Sequence, residues 1–342
     1  MRVLVHQGRI RSQAEGGHPG RAAQLVQVCA CPDCFSDLAD IGDLQCTKCG
    51  HTFATTSGIP VLLPSTMDST QQRYLDCYND IAADDLTKPF EGNRPARHRT
   101  LKKFIGSVRG KRVLDIGSSD AIYLREMDAK LKVALDLAIG YLKTIPDDAG
   151  IIPICGDAER LPVRAGIFDV VVIADVLEHV LSPERVVARL LDICRPDTRL
   201  IVHVPWEEDL GQYREAGYEF THLRSFNAYN FSLLFRDFYE RRSRGTYPNV
   251  ISPLPYRLYG RVPRRFYNLL MFVLRLPRLG DVPARWWAKW IEELPRREGW
   301  LLLFYPPVYR MFELSPLRGT IRFRLALWLR DKLLRQAAKI TP

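Results

Sequence analysis

The chain has 342 residues, 46% of them hydrophobic and 26% charged, with a formal net charge of +10. That length and apolar content suit two or three units with a sizeable core, and no internal repeat or low-complexity tract is present. A membrane-crossing helix is excluded for the apolar run at 266–274, which falls far short of the roughly twenty residues needed.

Residues 1–24 are polar and contain glycines. They lack the basic start, apolar stretch and cleavage site of an export signal, so a flexible N-terminus on a cytoplasmic chain is expected. In residues 25–64, Cys31-x-x-Cys34 and Cys46-x-x-Cys49 are separated by eleven residues. Without an export signal, this spacing points to zinc rather than disulfides. Two such knuckles supply four soft ligands to a tetrahedral ion, and a closed four-thiolate site is structural. Cys29 and His51 stand nearby as substitute ligands, while Cys77, Cys155 and Cys194 read as ordinary core thiols.

Residues 65–94 read as a linker with a helix near 71–81, whose Tyr74 and Tyr78 are placed either to cover a site or simply to pack. From 95 to 245 the pattern is that of an α/β domain. Leu101, Phe104, Ile105 and Val108 form a helical stripe, and then short apolar runs alternate with helix-sized segments, which predicts a doubly wound, mostly parallel sheet. The strand-like runs end at Asp115, Asp136, Asp157 and Asp175. A helix follows Pro183, a fifth strand covers 200–205, an acidic and aromatic lid or acceptor loop covers 206–221, and a late helix covers 227–235.

Residues 246–342 change character. From Arg241 onward there are 21 Lys and Arg against 6 Asp and Glu, a net of +15, and five of the six tryptophans. A mainly helical extension is expected, with an amphipathic helix near 321–334. Arginine with tryptophan suits an anionic membrane surface. The alternative is a helical subdomain whose arginines are only solvated. Nucleic acid ranks third, because the rest of the chain is net acidic.

In a doubly wound sheet, ligands bind at the carboxyl ends of the strands, so the four acids line one edge. A dinucleotide fold carries G-x-G-x-x-G at its first turn to bring amides onto pyrophosphate. Here that turn is Asp115-Ile116-Gly117-Ser118-Ser119-Asp120. A ligand with an ammonium, a sulfonium and a ribose but no phosphate fits such an edge, and S-adenosylmethionine is that ligand.

Val113-Leu114-Asp115-Ile116-Gly117, Asp136, Gly156-Asp157-Ala158-Glu159-Arg160-Leu161-Pro162 and Asp175-Val176-Leu177-Glu178-His179-Val180 resemble, in that order, the motifs of class I S-adenosylmethionine-dependent methyltransferases. The nearest subgroup is the type-11 one that includes quinone-biosynthesis enzymes, and the resemblance covers about 95–245. It implies that Asp115 and Gly117 meet the methionine part, Asp136 the ribose hydroxyls, and Asp157 with the Ala158 backbone the adenine; Ser118 and Leu137 are also expected in the cofactor site, as is Asp175, which orients acceptor or cofactor or else only caps its strand end. Many relatives have further glycines where this chain has Ser118, Ser119 and Asp120. The segment at 58–64 after the knuckles resembles the end of zinc-ribbon proteins that activate tRNA methyltransferases, and large-subunit rRNA guanine methyltransferases also carry an N-terminal zinc module.

Methyl transfer is an in-line displacement that requires alignment of the acceptor and exclusion of water. For a hydroxyl acceptor, His179 and His222 are the candidate bases, each with a capping or backbone-bonding role as its alternative. The expected function is methylation of a hydroxyl or similar group on a small-molecule, glycan or lipid-linked acceptor. The rivals are rRNA or tRNA methylation, a non-catalytic adaptor retaining the fold, and a nucleotide-dependent dehydrogenase, which the missing phosphate loop disfavours.

Overall fold

The computed structural model describes residues 19–87, 94–208, 210–213, 219–246 and 309–317. The expected N-terminal arm up to residue 18 and most of the basic extension lie outside the described residues. Those undescribed stretches contain all five of the extension's tryptophans and the amphipathic helix expected near 321–334.

Helix α1 (Pro19–Val28) leads into a three-stranded antiparallel sheet of β1 (Leu38–Asp40), β2 (Leu44–Cys46) and β3 (Thr52–Phe53). Cys31 and Cys34 precede β1, and Cys46 and Cys49 flank the turn after β2. Next come the hairpin of β4 (Thr55–Thr56) and β5 (Ile59–Leu62), then α2 (Ser69–Thr87) and α3 (Arg94–Ile105). The alternating part follows as β6 (Arg112–Ile116), α4 (Ile122–Arg125), β7 (Leu131–Asp136), α5 (Ile139–Leu142), β8 (Ile152–Gly156), β9 (Val170–Ala174), α6 (Pro183–Ile193) and β10 (Arg199–Pro205). Helix α7 (Ala228–Leu234), β11 (Phe238–Thr246) and β12 (Tyr309–Pro316) complete the order.

The central sheet has nine strands in the order β11-β12-β10-β9-β6-β7-β8-β5-β4. It is parallel from β10 through to β5, as the apolar runs predict, and only β12 and β4 oppose the other strands. Successive residues of a strand face opposite sides. Accordingly, Leu114, Ile116, Val133 and Leu135 join a core with α6 on one face, while Val113 and Ala134 join a core with Leu101 and Phe104 of α3 on the other. Leu38, Leu44 and Phe53 of the small N-terminal sheet are buried in the α6-side core.

Two placements differ from the sequence reading. The ribbon's last strand is not self-contained: β5 pairs in parallel with β8, Val61 opposite Cys155 and Leu62 opposite Gly156. Residues 309–316, expected within a mainly helical extension, are instead strand β12, inserted between β10 and β11. The partners of this strand come from far away in sequence. Buried Glu313 receives Arg199 of β10 at 2.8 Å and Arg242 of β11 at 2.7 Å, while Met311, Phe312 and Leu314 enter the two cores. Among the described residues no helix is long and apolar enough to cross a membrane.

Candidate active site

From β6 the chain proceeds outward through β7 and β8, then returns to the other side of β6 for β9 and β10. That reversal opens a crevice at the carboxyl ends of β6 and β9. A cavity of about 350 Å³ lies there. Gly117 and Ser118 after β6, Asp136 and Leu137 at the end of β7, and Asp157 and Ala158 after β8 line it. Asp175 and His179, after β9, complete its floor. Asp115 and His222 are not in the lining: Asp115 is buried within β6 under the turn, and His222 stands behind His179.

The first turn is tight. Gly117 has φ +67°, and a Cβ there would meet Val176 Cγ2 at 2.2 Å, so only glycine fits. Ser119 and Ala121 also adopt positive φ, +50° and +56°, without being glycine. Four of the turn's amides are committed internally. Gly117 and Ser118 N–H donate to the Leu135 carbonyl at 2.8 and 3.0 Å, Ser119 N–H to Asp136 Oδ2 at 2.8 Å, and Ala121 N–H to the Ser118 carbonyl at 2.8 Å.

Burial governs the acids. It pushes Asp115 up to about 8, with Asp136 and Asp120 adding repulsion. Asp136 rises to about 6 through burial, moderated by the Ala138, Ser119 and Leu137 amides. Asp157 also rises to about 6 through burial, although its Oδ1 accepts Glu159 N–H at 2.8 Å and so caps the short 3₁₀ turn that follows. Asp175 has φ +55°, and its Oδ1 lies 2.8 Å from Nδ1 of His203, which is 1% exposed and stacks on Tyr309. By sequence pattern His203 is an ordinary strand residue, and its one signal is a polar side chain inside a buried run.

Helix α2 covers the cavity. It is longer than the expected 71–81, and Tyr74, Tyr78, Ile81 and Asp85 all face the lining. Tyr78 Oη donates to the Phe220 carbonyl at 2.8 Å, and the Tyr74 and Phe220 rings meet edge to face, which ties the cover to the loop after β10. His98, Tyr123 and Tyr141 also line the cavity, and no periodicity or spacing in the sequence singled them out.

His179 sits under this cover, and burial, then His222, hold it down at about 4, so its ring is neutral near pH 7. Its Nδ1 lies 2.9 Å from the Thr221 carbonyl, which can only accept; Nδ1 therefore carries the proton and Nε2 keeps the lone pair. His222 packs edge-on against His179, its Nδ1 2.5 Å from Glu208 Oε2. One side-chain atom each of Glu178, His179 and His222 lies within 4.8 Å of the others.

Away from the cavity, the Cys31, Cys34, Cys46 and Cys49 sulfurs all lie within 4.8 Å of one another. Cys31 and Cys49 are 3.7 Å apart and Cys34 and Cys46 are 3.4 Å apart. A tetrahedral ion with sulfur at about 2.3 Å requires sulfur–sulfur separations of about 3.8 Å, so the four thiols fit one. Cys29 and His51 are not in this cluster: Cys29 is fully buried beside Val163, and the His51 ring packs on Phe53.

Residues 90–238 match the family model described as a methyltransferase domain. The chain is 32% identical over 152 residues to a demethylmenaquinone methyltransferase from Renibacterium salmoninarum, a match covering 42% of this chain and 58% of that protein's length. Its fold is similar to a complex of the Haloferax volcanii Trm112 methyltransferase activator with a methyltransferase, at 13% identity and a TM-score of 0.46 over 71% of this chain and 96% of the other. A phosphoethanolamine N-methyltransferase 2 from Haemonchus contortus is similar at 15% identity and a TM-score of 0.44, over 75% and 61% of the two chains. Residues 90–238 thus carry a methyltransferase domain.

Proposed function

We propose that this chain is an S-adenosylmethionine-dependent methyltransferase acting on a hydroxyl or similar group of a small-molecule, glycan or lipid-linked acceptor. The observation that carries the cofactor reading is the cavity at the strand switch point, edged by Asp136, Asp157 and Asp175, where the Gly117, Ser118, Ser119 and Ala121 amides are engaged internally rather than turned to a pyrophosphate. S-adenosylmethionine, when bound, supplies a methyl group activated by a sulfonium.

The chain's own residues hold, cover and deprotonate. Asp136 would accept the ribose hydroxyls and Asp157 with the Ala158 backbone would meet the adenine, while α2 with Tyr74 and Tyr78 excludes water. His179 Nε2 is the base for a hydroxyl acceptor, its ring fixed by the Thr221 carbonyl and backed by the His222–Glu208 pair. Asp115 supports the turn from beneath. Zinc on Cys31, Cys34, Cys46 and Cys49 would be structural, a reading supported by the sulfur separations. The acceptor class rests on the arginine- and tryptophan-rich composition of 246–342, and the same composition supports contact with an anionic membrane surface by a cytoplasmic protein.

Calorimetry tests the cofactor. S-adenosylmethionine and S-adenosylhomocysteine should bind and NAD should not; tight NAD binding alone would overturn the proposal. Extracts given an isotopically labelled methyl donor test the acceptor: label in a lipid or glycan fraction supports it, and label confined to RNA rejects it.

A further inference from the structure

The loop that follows β8 faces two ways. Gly156, Asp157 and Ala158 line the cavity, whereas Arg160 does not. Its guanidinium turns to the cysteine module, where Nε donates to the Pro32 carbonyl and Nη2 to the Asp33 carbonyl, each at 2.9 Å. Both acceptors lie between Cys31 and Cys34. Beyond Arg160, Ala30 N–H donates to the Pro162 carbonyl at 2.9 Å and Arg164 N–H to the Val28 carbonyl at 2.8 Å. Arg189 of α6 holds the Leu161 and Val163 carbonyls at 3.2 and 2.8 Å, and its guanidinium carbon also lies 3.9 Å from the ring centroid of Phe35, next to Cys34. The bond from Ser182 N–H to Glu159 Oε1, at 2.8 Å, ties the loop without the module.

Between its two faces the loop is short and internally braced. Asp157 Oδ1 accepts Glu159 N–H at 2.8 Å, and the Asp157 carbonyl accepts Arg160 N–H at 3.2 Å. A displacement of Arg160 is therefore felt at Ala158 within one 3₁₀ turn. At the other end, binding of a structural metal supplies folding free energy to the turns that carry its ligands. The positions of the Pro32 and Asp33 carbonyls thus depend on the four sulfurs being held together.

We propose that Arg160 is a positioning residue through which the cysteine module sets the affinity of the cavity for an adenosyl ligand. Metal on Cys31, Cys34, Cys46 and Cys49 fixes the two carbonyls, Arg160 carries that constraint to Asp157 and Ala158, and metal and ligand strengthen each other's binding. This rests on the cofactor reading above and deepens it, since the module then acts on ligand binding and not on folding alone. Linkage is reciprocal: the factor by which metal tightens the ligand equals the factor by which ligand tightens the metal.

Two titrations of the full chain test this. Calorimetry with S-adenosylhomocysteine on zinc-loaded and chelator-stripped protein should show binding about tenfold tighter with zinc, and competition for zinc against a chromophoric chelator should show about the same factor on adding S-adenosylhomocysteine. In Arg160→Met both factors should fall close to one with one zinc still bound, and Arg160→Lys should restore part of them. Arg164→Met, whose lost side chain reaches the Val26 carbonyl and Asp37 from beyond the cavity-lining turn, should keep them. Should the stripped chain unfold, the zinc-loaded proteins decide: Arg160→Met should bind S-adenosylhomocysteine about tenfold more weakly than wild type. Equal ligand affinity with and without zinc, unchanged factors in Arg160→Met, or an equal loss in Arg164→Met overturns the assignment, as does a wild-type chain that takes up no zinc. A zinc-loaded wild-type chain that does not bind S-adenosylhomocysteine overturns the cofactor reading instead.

Discussion

The guanidinium of Arg160, three residues beyond Asp157, donates from Nε to the main-chain carbonyl of Pro32 at 2.9 Å. Its Nη2 reaches the Asp33 carbonyl, also at 2.9 Å. Both carbonyls lie inside the first cysteine knuckle, and Ala30 N–H returns to the Pro162 carbonyl at 2.9 Å. The proposed adenine loop and the cysteine module are therefore one joined structure. Arg160→Ala should cost about 1–3 kcal/mol, the scale of charged hydrogen bonds with a partly exposed donor. Metal chelation should lower stability as well. Because both changes act on one contact, their effects should be less than additive in urea midpoints; full additivity would mean that the loop and the knuckle are independent.

Ser119 holds φ +50°, a left-handed conformation that costs a side-chain-bearing residue about 1 kcal/mol. Ser119→Gly should therefore stabilise the protein by at most about 0.5 kcal/mol once the entropy of the added glycine, about 0.5–1 kcal/mol, is set against the relieved strain. Ala121 shares the conformation, but its methyl is fully buried, so Ala121→Gly should gain less. Thermal midpoints of the two variants check the order.

The raised acids fix a pH dependence with two opposite signs. Asp136 and Asp157 titrate near 6 and Asp115 near 8, all above the ordinary carboxylate value of 3.8, so the folded protein binds protons more tightly than the unfolded chain. Their contribution to stability is full below about pH 4 and is lost as pH rises through 6 and then 8. Affinity for a cationic ligand should move the other way, increasing as the acids ionise. Thermal midpoints measured with and without S-adenosylmethionine at pH 5.5, 7 and 8.5 should show a ligand-induced increment that grows with pH, and more steeply than with net-neutral S-adenosylhomocysteine.

Loss of His179 should separate from loss of His222. Once a labelled product is in hand, His179→Gln should lower its rate of formation by about 10²–10⁴-fold, the range for a general base. His222→Asn removes a group outside the cavity lining and should cost much less. With His179 held near 4, the wild-type rate should stay flat from pH 8 down to about 5 on this group's account.

Substituting one cysteine tests the metal. Cys46→Ser should abolish one bound equivalent by elemental analysis, whereas Cys29→Ser should retain it, because Cys29 lies outside the sulfur cluster.

Much of the sheet was legible because its parallel strands are covered on both faces and read as short apolar runs ending in an acid. Asp136, Asp157 and Asp175 meet at one cavity for that reason. Asp115 follows the same pattern yet stays beneath the turn, since its position within β6 rather than after it decides where the side chain goes. Strand β12 escaped because Arg310 and Glu313 look like surface charges until Arg199 and Arg242, from strands distant in sequence, enclose Glu313. The His203–Asp175 contact depends on β9–β10 register, which places His203 opposite Ala174, and no local pattern encodes that.

The reversal of β12 has a topological outcome. Since Tyr309 pairs with both Pro205 and Thr246, the strand carrying the chain out and the strand bringing it back have their tips beside the carboxyl end of β10. Tyr309 lies flat on His203, which in turn grips Asp175, so the returning anchor is two side chains from the floor of the pocket.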